Sequence, residues 1–145
     1  MTRHLSSKWR DPRIQAYELA KLNPMCLHED RRYLTRDVPR IEQQGLWYPI
    51  LLYKVTLQWW TEKFAPWPYG GCTLLPPVIN DDDMIWAVKM GSNRWEAAVH
   101  LGYDTIDAIM FDHSDDCVKL GVWFRDCDPL HNADCPPYSG AWEYN

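Results

Sequence analysis

Four consecutive residues, Gly91, Ser92, Asn93 and Arg94, have the types and spacing to hold an anion. They follow the apolar run 85–90 and precede a short helical pattern. A glycine-led turn there would aim the first backbone N–H groups of a helix, those of Ser92, Asn93 and Arg94, at a negative charge. The planar guanidinium of Arg94 suits phosphate oxygens, and Ser92 and Asn93 add donors without charge. A plainer reading is also open: Asn93 caps the helix, Arg94 is solvated and the glycine serves only the turn. One glycine and one arginine are a far weaker pattern than a Walker loop.

Other residues that could do chemistry are scattered. Cys127, His131 and Cys135 recur every four residues with Cys117 upstream, and thiolate and imidazole are good zinc ligands. Their spacing is unlike paired C-x-x-C knuckles, and Pro129 and Pro136 break any one helix that would present them, so unliganded thiols are favoured and no metal is expected. Asp81, Asp82 and Asp83 read as a solvated turn rather than a cation site. His113 among Asp112, Asp115 and Asp116 has no nucleophile beside it in sequence and reads as surface. The carboxylates available as a catalytic base are Glu29, Asp30 and Glu42 upstream and Glu96 on the central helix. Glu96 reads as a cap, and Glu29 and Asp30 read as a charge cluster with Arg31 and Arg32.

The elements that must position these residues are partly legible. Asp11 as N-cap, Pro12 at the first helical position and a stop at Asn23-Pro24 predict a helix of about three turns. A short helix starts at Asp37 or Val38, with Pro39 in its first turn, Val38 and Ile41 inward and Gly45 as terminator. Ile50 to Val55 is a continuous apolar run, as in a strand covered on both faces. Residues 56–84, rich in Pro and Trp, form an ordered insertion with room for a strand or helical turn of its own. Ile85 to Met90 is a strand, Asn93 and Glu96 form a capping box for a helix ending at Gly102, and Ile106 to Phe111 is a third strand. Strand, helix, strand suggests a crossover unit on a mixed sheet. The segment 118–124 reads as a short strand or hairpin arm, and residues 112–145 form an acidic, aromatic C-terminal extension.

Size and composition bound the rest. A chain of 145 residues with 46% hydrophobic and 24% charged residues is one globular domain. The N-terminus has no signal-peptide pattern and no stretch is apolar enough to span a bilayer, so a cytoplasmic protein without membrane contact is expected. Five cysteines cannot all pair, which fits a reducing compartment. A net charge of −5 argues against coating nucleic acid. Nine tryptophans are the unusual count. Trp59, Trp60, Trp67 and Trp142 lie in weakly patterned segments, where they either cover the core or face a partner.

The segment 91–106, "GSNRWEAAVHLGYDTI", preceded by "IEQQGLWYPILLYKV" at 41–55, resembles the ParB/sulfiredoxin superfamily, which joins a Pro-led strand to a downstream Gly-Arg-Ala box. The resemblance covers roughly residues 22–112 in two blocks. It implies an α+β fold, a small mixed β-sheet flanked by short helices, and a phosphate-facing turn formed by Gly91, Ser92, Asn93 and Arg94. Arg31 or Arg32 would correspond to an arginine ahead of the first block, and Gly45 and Pro49 to the other wall of the cleft. The implied ligand is a nucleoside triphosphate or diphosphate with Mg²⁺, or another phosphorylated ligand. The departures matter as well. Asn93 stands where DNA-clamping relatives have the first of two arginines, Ser92-Asn93 where sulfiredoxins have their cysteine, and Met90 where many enzymatic relatives have an acid. The chain has no room for a helix-turn-helix module, which argues against sequence-specific DNA binding.

Two functions follow as expectations. In the first, the protein binds a nucleotide or phosphate through the Gly91 to Arg94 turn, with phosphoryl transfer, nucleotide hydrolysis or phosphodiester cleavage as the reaction class. In the second, it is a non-catalytic accessory or virion-associated protein of the kind bacteriophages encode. It would keep the fold and meet a protein partner through the Trp-rich insertion and the C-terminal arm, in the host cytoplasm or in the virion.

Overall fold

A computed structural model describes residues 2–25, 27–28, 32–64, 72–73, 75–112 and 114–127. The chain has an α+β fold built on a six-stranded mixed sheet. In chain order its strands are β1 (His4–Leu5), β2 (Gln15–Glu18), β3 (Leu22–Pro24), β5 (Ile50–Val55), β7 (Ile85–Met90) and β8 (Thr105–Phe111). Strands β4 (Leu27–His28) and β6 (Cys72–Thr73) pair separately as a short antiparallel ladder. The order across the main sheet is β1-β8-β5-β7-β3, with β2 paired to β8. The helices are α1 (Arg32–Gln44), α2 (Leu57–Trp59), which runs into a π-type turn (Trp60–Phe64), α3 (Ser92–His100) and α4 (Ser114–Cys127).

Strand β5 lies at the centre, parallel to β8 and antiparallel to β7. Its alternation explains its unbroken apolar run. Ile50 and Leu52 point into a layer with Ile41, Val88, Ala97, Ala98, Ile106 and Ala108, roofed by α1 and α3. Leu51, Tyr53 and Val55 point into the opposite layer with Trp60, Ala87, Ile109, Cys117, Leu120 and Phe124, roofed by α4 and the turn after α2. Both faces are covered, so period-two polarity disappears.

The strands at 50–55 and 85–90 form as the sequence predicts, and Gly45 (φ +76°) and Gly102 (φ +83°) end their helices in the left-handed region. The insertion contains both a helical turn, capped by Thr56, whose Oγ1 accepts the Trp59 N–H at 3.0 Å, and the short strand β6.

Four expectations are corrected. The segment expected as a helix from Asp11 is a turn followed by β2, a single 3-10 turn (Leu19–Lys21) and β3. The Ile14 N–H reaches the Asp11 carbonyl and the Arg13 N–H reaches the Asp11 carboxylate, so Asp-Pro starts a turn with the signals it would use to start a helix. Segment 118–124 belongs to α4, where the inward residues Cys117, Leu120, Gly121 and Phe124 follow helical spacing. Helix α1 starts at Arg32, not at Asp37 or Val38, and carries Pro39 in its interior. Strands β7 and β8 are antiparallel to each other and separated by β5, so α3 is not the crossover of a parallel pair.

The outer edge of β3 is covered by residues 75–80. The Asn23 carboxamide imitates a ladder, its oxygen accepting the Val78 N–H at 2.6 Å and its nitrogen donating to the carbonyls of Val78 and Trp86, each at 3.2 Å. Among the described residues, no helix is long and apolar enough to cross a membrane.

Candidate functional site

Strand β7 ends at Met90, and Gly91, at φ +111°, swings the chain directly into α3. No L-residue fits here comfortably, for two reasons. The dihedral is one that side chains resist, and a Cβ on Gly91 would sit 2.6 Å from Ile50 Cγ2. Gly91 is itself the N-cap residue and supplies no side-chain acceptor to the first turn of α3. Asn93 is therefore inside the helix rather than its cap, and the Asn93–Glu96 capping box does not form. The Ser92 hydroxyl is used locally. It accepts the Met25 N–H at 3.1 Å and lies 3.4 Å from the Val88 carbonyl, tying the end of β3 to the start of α3.

Helices α1 and α3 pack side by side, and β4 touches α3. At their C-terminal ends both meet the N-terminal segment of the chain. Leu46, just past α1, pairs with Ser7, and the Leu101 carbonyl, at the end of α3, accepts from Arg3 at 2.6 Å. At the N-terminal end of α3, Ser92 holds Met25.

Within this frame Gly91, Ser92, Asn93 and Arg94 are contiguous at the head of α3, and Arg32 heads α1. Arg94 is 7% exposed and engaged within the fold, so it is not the solvated helix end of the plainer reading. Glu96 is half-buried on α3. Glu42 is exposed and lies ten residues along α1 from Arg32, about 15 Å of helix, so it is not brought to the turn. Gly45 and Pro49 flank the approach to β5, whose first residue, Ile50, touches Gly91. Glu29, Asp30 and Arg31 lie outside the described residues.

The other candidates separate. Cys117 is a buried free thiol in the core, and burial pushes its pKa up to about 12, with Lys89 opposing only in part. A thiol held protonated is the reverse of a metal ligand. Of the other three members of that set, the Cys127 side chain, His131 and Cys135 lie outside the described residues. Among the described residues, no group of three or more His, Cys, Asp or Glu side chains could hold a metal ion. Asp81, Asp82 and Asp83 form an exposed turn. Trp60 is 1% exposed and belongs to the core, so it does not face a partner, whereas Trp59 is half-buried at its edge. Trp67 and Trp142 lie outside the described residues.

Sequence reasoning missed Asp107. This carboxylate interrupts the apolar run of β8 and is 3% exposed. It accepts the Ser7 N–H and the His4 Nε2 contact, each at 2.8 Å, together with Arg10 Nη1 at 2.5 Å and the Ser7 hydroxyl at 3.3 Å. Ser, His and Asp together invite a catalytic reading, but the geometry denies it. His4 is engaged by Asp107 on one ring nitrogen and by Thr105 Oγ1 on the other, so neither nitrogen is left to activate Ser7. The cluster clamps the N-terminal segment onto β8. Its one sequence signal was an acid inside a strand of apolar residues.

Comparison of the chain with family models finds no match, and comparison with curated proteins and with solved structures finds none either.

Proposed function

We propose that this protein binds a nucleotide or another phosphorylated ligand at the N-terminal end of α3, with the Gly91–Arg94 turn receiving the phosphate. One observation carries the reading: α3 starts straight out of a left-handed glycine that supplies no side-chain cap. The N–H groups and dipole of such a helix favour an anion. Arg94, in the first turn of α3, adds positive charge close to the same turn. The resemblance to the ParB/sulfiredoxin superfamily points to the same turn. Hydrolysis or phosphoryl transfer would further need a carboxylate within hydrogen-bond reach of the attacking group, and Glu96 is the described candidate on the same helix.

The test is calorimetric titration of the full chain with CTP, ATP, ADP and GTP, with and without Mg²⁺. Because Arg94 is buried, Arg94→Ala is a poor control by itself. Arg94→Met, which keeps the stem and removes the charge, is measured beside it, with circular dichroism establishing that each variant is folded. Saturable binding that a folded Arg94→Met variant loses supports the reading. Failure of all four nucleotides to bind the wild type, or unchanged binding by Arg94→Met, overturns it.

A further inference from the structure

A second recess opens at the other end of β5, a six-residue strand or about 17–20 Å from Gly91. It has a volume of about 330 Å³ and lies beyond the C-terminal ends of the parallel neighbours β5 and β8, a usual place for ligands on open sheets. Tyr53, Lys54, Thr56, Trp59, Met84 and Asp112 line it.

Its walls are built in advance of any ligand. Tyr53 and Trp59 meet edge to face, with ring centroids 5.8 Å apart, and Thr56 fixes the backbone of Trp59. Met84 is set by the acidic turn before it. Asp82 accepts the Met84 N–H and the Trp86 indole N–H, each at 3.0 Å, and lies 3.4 Å from Lys54 Nζ. Asp83 at φ +61° is the one left-handed non-glycine among the described residues, held by the Asn80–Met84 and Asp83–Asn80 backbone bonds. The run of three aspartates is therefore a positioning turn for this recess.

The charges select the ligand. Lys54 is balanced by Asp82, whereas Asp112 is exposed and joins no ion pair among the described residues. The lining is thus aromatic and aliphatic with one carboxylate, Asp112, that joins no ion pair among the described residues; Lys89 Nζ lies 6.0 Å from the Tyr53 ring centroid. An anion or a neutral apolar ligand would strip water from Asp112 without replacing it. A cation on an apolar stem answers both features, its charge meeting Asp112 and its stem lying on the aromatic wall.

We propose that this recess binds an organic cation, an ammonium or guanidinium group on an apolar stem, with Asp112 as counter-ion and Trp59 and Tyr53 as the wall. The source is either a free amine or a basic side chain of a peptide, and the test separates them. The full chain is titrated by calorimetry with cadaverine, with lysine capped at both ends as amides, and with pentanol as a neutral control. Wild type, Asp112→Asn and Trp59→Leu are compared at low and high salt.

Both cations are expected to bind saturably, pentanol is not, and Asp112→Asn is expected to weaken cation binding about tenfold. Tighter binding of capped lysine assigns the site to a peptide side chain, and tighter binding of cadaverine assigns it to a free amine. Absence of cation binding, equal binding of pentanol and cadaverine, or an unchanged affinity in Asp112→Asn overturns the proposal. Asp112 is exposed, so its variant keeps the fold and decides the matter even if Trp59→Leu does not fold. Neither result depends on whether nucleotides bind at α3.

Discussion

Replacing Asp107 isolates the clamp that fastens the N-terminal segment to β8. Its partners differ in what they lose. The His4 and Arg10 side chains are 31% and 63% exposed and can turn to water, so losing the carboxylate costs them about 0–1 kcal/mol each. Ser7 is 4% exposed and cannot, so its N–H would be left unsatisfied at about 1–3 kcal/mol. Asp107→Ala is therefore expected to cost about 2–4 kcal/mol. Asp107→Asn, which keeps one carbonyl-type acceptor but no charge, is expected to cost about half as much. For a chain of this size the Ala variant should melt about 5–15 °C lower.

Burial by itself would raise the Asp107 carboxyl, but the Ser7 N–H, His4 and Arg10 more than reverse this and hold it below its ordinary value. A carboxylate depressed on folding contributes its full stability above the ordinary pKa of about 4 and loses it as pH falls through the lower folded value. The gap between wild type and Asp107→Asn is thus widest near neutral pH and closes below about pH 4. Urea denaturation followed by circular dichroism at neutral and acid pH reads both effects. Equal midpoints at neutral pH, or a gap that persists unchanged in acid, would refute the reasoning.

Two further outcomes follow from local geometry. Gly91→Ala combines an unfavourable positive φ with a Cβ placed 2.6 Å from Ile50 Cγ2, and is expected to cost about 3 kcal/mol or more. Adding Ile50→Val, which removes only Cδ1 and keeps the Cγ2 and Cβ that the new methyl meets, should not restore stability, and a denaturant midpoint equal to wild type for Gly91→Ala would show the turn to be adaptable. Cys117, buried and with its thiol pushed up to about 12, is expected to resist alkylation at mildly alkaline pH until the protein is unfolded. Peptide mapping by mass spectrometry reads this directly, and labelling of native protein at the rate of the denatured control would contradict the burial.

The parts of the fold legible in the sequence are those where a single physical cause fixes a residue type. A strand covered on both faces must be apolar throughout, which makes Ile50–Val55 unmistakable, and a left-handed helix stop selects glycine, which marks Gly45 and Gly102. The misread parts are those where one signal serves two structures. Asp11-Pro12 starts a turn as readily as a helix, and only the pairing of Gln15–Glu18 with β8 decides between them. In α4, Gly121 sits under Met90, where a Cβ would lie 2.5 Å from Met90 Cγ, so the segment read as a strand or hairpin arm is a helix whose glycine is set by packing. At the candidate phosphate turn, Gly91 and Arg94 were visible, but Arg94's burial was not, because burial is set by tertiary packing that local spacing does not carry. The recess at Asp112 left no trace, since its lining comes from four separate stretches of chain.

The mixed direction of the three central strands explains why the two candidate sites are far apart. Because β7 runs against β5, the glycine turn after β7 falls beside Ile50, at the start of β5. Because β8 runs with β5, Asp112 emerges beside Val55, at its end. The helices divide in the same way, α1 and α3 packing on one face and α4 with the turn after α2 on the other. A phosphate at α3 and a cation at Asp112 would thus be joined by β5 and by β7, which runs from Met84 at the recess to Gly91 at the turn, and the buried side chains of both strands are locked into the core. Strands so held offer no second arrangement for a ligand to select, so binding at one end would leave affinity at the other unchanged.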